Sequence, residues 1–241
     1  MHRGKERVRL LHTSDIHLVN NVPGRADVGR RTLTALVELS VQAGADLVVI
    51  AGDLFDHNRI DGDTLEFVSR ELGRTPVPVL ILPGNHDCLV PDSVYRRVSF
   101  PDLAPNVRVF TESQGETFTF AELDLAAWGK PIVDYGGDAR PLAGIPPRGS
   151  ERWQIAVAHG YYVDSQPDPV RSFPIRKEDI VSSGRDYVAL GHWGGFSCVS
   201  DGPVKTYYSG ADTVGLVDFD GLGVQVNPHR LNLPDRYGVY E

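Results

Sequence analysis

Five apolar runs in this 241-residue chain each end in a histidine, an aspartate or an asparagine. Val8 to Leu11 leads into His12-Thr13-Ser14-Asp15-Ile16-His17, and Leu47 to Ala51 into Gly52-Asp53. Val77 to Leu82, broken only by Pro78, leads into Pro83-Gly84-Asn85-His86-Asp87. Ile155 to Ala158 ends at His159, and Tyr187 to Leu190 at Gly191-His192. Runs this short and this apolar read as buried strands. A strongly hydrated group at the end of each is costly unless it binds something. In open α/β sheets ligands collect at the carboxyl ends of strands, so the chain must fold to bring these five ends together.

The first half alternates strand and helix. Val8 to Thr13 is predicted as a strand, Val28 to Ala43 as a helix ending at Gly44, and Asp46 to Ala51 as a buried strand. A second helix over Asp63 to Leu72 stops at Gly73, and Val77 to Leu82 follows as the third strand. This βαβαβ order implies a parallel sheet with right-handed crossovers. The second half is strand-rich: 107–110, 117–120, 123–128, 153–159, 187–192, 204–208, 214–219 and 223–226, with a helix over 176–183. The Asp220-Gly221 turn makes a hairpin of the last two. Val133 to Gly149, rich in Gly and Pro, reads as a loop or lid. With no repeat, low-complexity tract or linker, residues 1–241 are expected to form one α/β domain.

Composition narrows the partners. A net charge of −8 argues against a generally basic nucleic-acid surface, without excluding a local groove. Cys88 and Cys198 fit neither a disulfide framework nor a zinc-thiolate spacing. No apolar span of 18 residues and no signal-peptide core is present, so no membrane partner is expected and the location is read as cytoplasmic.

Oxygen donors (Asp15, Asp53, Asn85) mixed with imidazoles (His17, His159, His192) suit first-row divalent ions such as Mn, Fe or Zn. No pair close in sequence could hold an ion alone. A carboxylate such as Asp53 can bridge two ions roughly 3.5–4 Å apart, the arrangement of two-metal hydrolases.

HTSDIHL, GDLFDHN, LPGNHD, AHG and LGHW, in that order, resemble the calcineurin-like metallophosphoesterase family. SDIHL and Tyr208-Ser209-Gly210 are most similar to its SbcD-type DNA repair nuclease branch. The resemblance implies a two-sheet β-sandwich flanked by helices, in four layers (αββα). It implies hydrolysis of a phosphoester, here a diester in nucleic acid or nucleotides, through a water activated by two divalent ions. Alternatives are a small-molecule phosphatase, a cyclic-nucleotide phosphodiesterase, or a weakly active phosphate-binding module. The resemblance assigns Asp15 and His17 to the first ion, Asp53 as the bridge, and Asn85, His159 and His192 to the second. It makes His86 the catalytic imidazole and Asp56 the carboxylate that orients it, with Asp87 behind them.

Two features depart from the family pattern. The family's last motif is Gly-His-x-His, whereas here Gly191-His192-Trp193 is followed by Gly194, which leaves the first ion one ligand short. The second is that the capping domain of SbcD-type nucleases is not expected in this chain. Of the remaining residues, His12 is expected in the core, His57 in a solvated loop, and Cys88 inert. Arg30-Arg31 and Arg96-Arg97 are expected on solvated helix faces. Trp193 could stack on a base or pack locally.

Overall fold

Alternation of side chains along the first strand sets the architecture. The computed structural model describes residues 5–20, 26–163 and 172–233, without the side chains of 26 and 27. In it, β1 (Val8–Thr13) turns Val8 and Leu10 to one side and Leu11 to the other. The chain continues through α1 (Ala26–Gln42), β2 (Leu47–Ala51), α2 (Gly62–Gly73) and β3 (Val79–Leu82). These three strands lie parallel and adjacent, as the βαβαβ reading requires. Two one-turn helices, α3 (Val94–Arg97) and α4 (Phe100–Leu103), lead to β4 (Val107–Val109), which adds in parallel to β3.

The second sheet starts with β5 (Glu116–Phe120), β6 (Leu125–Gly129) and β7 (Trp153–His159). After a two-stranded ribbon of β8 (Tyr161–Val163) and β9 (Pro174–Arg176) come α5 (Lys177–Ser183) and β10 (Tyr187–Gly191). Then follow β11 (Ser197–Ser200) and β12 (Lys205–Tyr208). The hairpin of β13 (Thr213–Asp220) and β14 (Gly223–Arg230) returns to the first sheet, where β13 pairs antiparallel with β1. The two six-stranded sheets run β14-β13-β1-β2-β3-β4 and β11-β12-β10-β7-β6-β5.

Burial follows period two in both sheets. Leu10, Val49, Leu80 and Val217 of the first face Leu125, Ile155, Val157, Tyr187 and Ala189 of the second, forming the core between them. The opposite face of the first sheet (Leu11, Val48, Ile50, Ile81) packs on Leu33 and Leu36 of α1 and Val68 and Leu72 of α2. That of the second (Ala156, Ala158, Val188, Leu190) packs on Ile180 of α5 and Leu142 of the 133–149 loop. The result is the four-layer αββα sandwich. Strands buried on both faces need apolar residues throughout, which is why they read as unbroken runs. No helix among the described residues is long and apolar enough to cross a membrane.

His12 is a core residue, as expected, with no solvent exposure. Its Nε2 donates to the Leu190 carbonyl at 3.1 Å, and its Nδ1 accepts from the Tyr187 hydroxyl at 2.8 Å. It therefore ties β1 of one sheet to β10 of the other as a neutral ring. Burial pushes its pKa down to about 3, against a partial upward pull from the Leu190 carbonyl. The unfolded chain binds the proton near pH 6.5, so stability is present above that pH and is lost as pH falls toward the folded value. Between pH 6.5 and 5 this group alone accounts for about 2 kcal/mol. Urea unfolding over this range is expected to show a shallower acid loss in His12→Gln than in the parent. Equal slopes would remove His12 from the acid response.

Candidate metal centre

Strained backbone shapes three of the five polar strand ends, those after β1, β2 and β10. Among the described residues, six that are not glycine have positive φ, and four of them are Asp15 (56°), His17 (53°), Asp53 (54°) and His192 (95°). Such conformations cost on the order of 1–3 kcal/mol each and persist where the surroundings enforce them. Here the enforcement is visible in the backbone. Asp15 N donates to the Gly52 carbonyl at 3.1 Å and His17 N to that of Asp53 at 3.0 Å, lacing the ends of β1 and β2 together.

Asp53 lies at the centre, 2% exposed. Its Oδ1 accepts from the backbone N–H of His86 at 2.9 Å. Its Oδ2 is 3.2 Å from His159 Nε2 and 3.9 Å from His17 Nε2, and the latter is also 3.9 Å from Asp15 Oδ1. Two groups of potential ligand atoms, each within 4.8 Å of one another, share this one carboxylate: His17, Asp53 and His86, and Asp15, Asp53 and His159. Asn85 Oδ1 lies 2.9 Å from His159 Nε2 and 2.8 Å from His192 Nδ1, so three donors from three strand ends converge there. The backbone N–H of His192 in turn donates to the Asp15 carboxylate at 3.1 Å. The structure thus brings all six expected ligands together.

The electrostatics suit a cation. Burial opposes charge on Asp53, yet the charge of His159 and its hydrogen bond, followed by His17, outweigh it and hold the carboxyl well below its usual range. Burial likewise disfavours the imidazolium of His159, but Asp53 and Asp15 lift its pKa to about 9. His159 Nδ1 donates to the Ala51 carbonyl at 2.9 Å, which aims Nε2 into the cluster, the second bond a ligating histidine ordinarily makes. Burial, then the neighbouring His159, lowers His192 to about 4, and burial lowers His17. A neutral ring is the form that ligates. His17 Nδ1 is buried without a hydrogen bond, although Asp56 Oδ1 lies 3.2 Å away in poor alignment. A mixed oxygen and imidazole set around a shared carboxylate fits two divalent ions.

The motif glycines are demanded by packing. A Cβ at Gly84 would meet Asp53 Oδ1 at 2.2 Å, and one at Gly191 would meet the Ala51 carbonyl oxygen at 1.8 Å. Any side chain at either position would displace the Asp53 carboxylate or pry the two sheets apart.

Other expectations need adjusting. The Asp56 carboxylate is not in hydrogen-bond geometry with His86. The His86 Nδ1–H instead donates to the Asp56 backbone carbonyl at 3.0 Å, while Oδ1 stands 3.5 Å off, nearer to His17. The tight turn after Asp53 presents the peptide first. Asp87 is fully buried and accepts from Gly84 N, Phe55 N and the Tyr95 hydroxyl at 2.7, 3.1 and 2.6 Å, fixing the two loops that carry Asp53 and Asn85. His57 accepts from Arg59 N at 3.2 Å in a local turn and belongs to neither ligand group. Arg97 is not simply solvated, since it donates to the Asn58 carbonyl. Sequence reasoning placed Ser14 and Ser209 within motifs but gave neither a role. The Ser14 hydroxyl donates to Asp15 and lies 3.0 Å from that of Ser209, so two hydroxyls brace the Asp15 carboxylate.

The family profile described as calcineurin-like phosphoesterase matches residues 8–197, and every residue placed above falls within it except Ser209. The chain belongs to the calcineurin-like phosphoesterase family. Over 205 residues it is 24% identical to the uncharacterized metallophosphoesterase YhaO of Bacillus subtilis (strain 168), covering 76% of this chain and 47% of that protein. It is 31% identical over 205 residues to the DNA double-strand break repair protein Mre11 of Methanopyrus kandleri, covering 77% and 44%. The chain spans less than half the length of these two relatives. Its fold is similar to the crystal structure of TT1561 of Thermus thermophilus, with a TM-score of 0.62 at 12% identity over 93% of this chain and 99% of that one.

Calcineurin-like phosphoesterases are metal-dependent hydrolases, and the second histidine expected of the last motif is Gly194 in this chain, where the structure has room for a side chain. A Cβ at Gly194 would meet nothing within 4 Å, and its φ is not left-handed. Gly194→His is therefore expected to fold unchanged, to raise bound Mn toward two per chain, and to increase diesterase activity at low Mn. Metal analysis of variant and parent decides it. Two full-occupancy ions already in the parent would mean that another group completes the first site.

Proposed function

We propose that this chain is a phosphodiesterase of nucleic acid or nucleotides working with two divalent ions, Mn foremost. The observation that carries the reading is the single buried carboxylate of Asp53, shared by two ligand groups, one of which spans both sheets through His159. Asp15 and His17 would hold one ion and Asn85, His159 and His192 the other, with Asp53 shared by both. Ions held there supply a water of lowered pKa and a clamp on the phosphoryl oxygens. The chain's own part is then positional. Asp53, fixed by the His86 N–H, sets the spacing of the two sites, and Asn85 keeps His159 and His192 on one point. His86 has a 43% exposed side chain, and with Nδ1 committed to Asp56 it leaves Nε2 to hold a proton for the departing oxygen. The Mre11 relative, named for DNA double-strand break repair, favours a nucleic-acid diester over a protein phosphate.

The open position at Gly194 favours a second reading, a phosphate-binding module of low activity. Turnover of bis-p-nitrophenyl phosphate against p-nitrophenyl phosphate with added Mn, followed by single-stranded DNA, separates the two. Diester preference supports the first reading. Monoester preference points to a phosphatase, and silence with retained nucleotide binding to the module.

A further inference from the structure

The loops that follow the two histidine ligands of the second sheet run together beyond those ligands. The Gly160 N–H donates to the Gly191 carbonyl at 3.2 Å, and the rings of His159 and His192 meet edge to face at 5.1 Å. One step further out the same loops pair a second set of rings: Tyr161 and Trp193, edge to face at 6.0 Å and 75°. The chain thus sets an aromatic pair directly outside an imidazole pair. Trp193 is 46% exposed, whereas Trp128 and Trp153 are 3% and 8%. Its indole Nε1 edge lies over Gly195, 3.7 Å from where a Cβ would stand, and Gly194 beside it contributes no side chain. An indole braced by Tyr161 and its own glycine loop, and left open beside the ligands, has little rotamer freedom to lose on stacking.

We propose that Trp193, backed by Tyr161, is a stacking surface for the nucleobase attached to the scissile phosphate, and so selects diesters that carry a base. This rests on the reading of the site as a phosphoesterase. Stacking uses the π-face that every base has, so it gives preference for a base without preference for sequence. The net charge of −8 makes such a contact apt, because the chain has little excess basic surface with which to hold a phosphate backbone.

Intrinsic fluorescence and calorimetry on the Mn-loaded chain test this with three probes: thymidine 5′-monophosphate, deoxyribose 5-phosphate and inorganic phosphate. With the other two tryptophans buried, quenching reports on Trp193. The expected result is quenching by the nucleotide alone and affinity about 5- to 10-fold tighter than for deoxyribose phosphate, the low end of what an aromatic–base stack provides. Trp193→Ala should abolish that difference, and Trp193→Phe should keep most of it. Equal affinities of the parent for nucleotide and sugar phosphate, with inorganic phosphate still bound, overturn the stacking role and leave the phosphoesterase reading intact. Failure of all three probes to bind overturns both.

Discussion

Asp53→Asn is expected to remove metal and activity together while the sandwich stays folded. The carboxylate is 2% exposed and shared by two ligand groups, so no other residue can replace it in either. An amide is nearly isosteric and keeps an oxygen for the His86 N–H, but it loses the charge that draws a proton onto His159 and would draw cations. Both sites weaken at once, and diesterase turnover should fall at least as far as for any other single ligand change. Far-ultraviolet circular dichroism should be unaltered, since the site lies at the rim of a core built from Leu10, Val49, Leu80, Ile155 and Tyr187. Metal analysis with a turnover assay checks both halves. Two tightly held ions and near-normal turnover in the variant would end the two-metal assignment.

His86→Ala should lower kcat by about 10²–10⁴, the scale of general acid–base assistance, with metal content unchanged. The structure makes this a sharper test than the sequence did. His86 packs edge to face on His17 at 4.6 Å, and it belongs to a ligand group with His17 and Asp53. It is thus placed either to move a proton or to stand in for the imidazole missing at Gly194. Retained metal with a collapsed kcat assigns it to chemistry. Lost metal makes it the replacement ligand. Because the ring is held by the peptide of Asp56 and not by its carboxylate, Asp56→Asn should have a milder effect, carried mainly through His17.

What the sequence made legible were features that burial imposes on composition. β2 and β10 are covered on both faces and read as continuous apolar runs, β1 and β7 are interrupted only by Arg9 and Gln154 before their polar ends, and those ends marked the candidate ligands. Where burial is partial the signal fades. β11 is a half-exposed four-residue strand, and α3 and α4 are single turns, and none of the three was predicted. The last strand was expected to end at Val226 but runs to Arg230 through Pro228. Its partner there is Gly215 of β13, and an edge strand tolerates a residue without an N–H. The six candidate ligands were legible because the donor atoms belong to their side chains. The supports were not, because a backbone carbonyl such as that of Asp56 leaves no mark in the sequence, and the motifs that hold Ser14 and Ser209 do not say which carboxylate their hydroxyls brace.

The left-handed backbone at Asp15, His17, Asp53 and His192 sets durability against chemistry at the same four positions. Only glycine occupies that region without penalty, and among the other residues Asn, Asp and His enter it most often. A chain shaped for persistence alone would carry small, achiral residues there, and it would bind nothing. The native residues hold strain at these four corners, which offsets part of the gain from the packed interior. Heat resistance would then be the easier property to improve in this scaffold, and the least informative: the variants that gain it by relaxing these corners are the ones that have given up the reason for the fold.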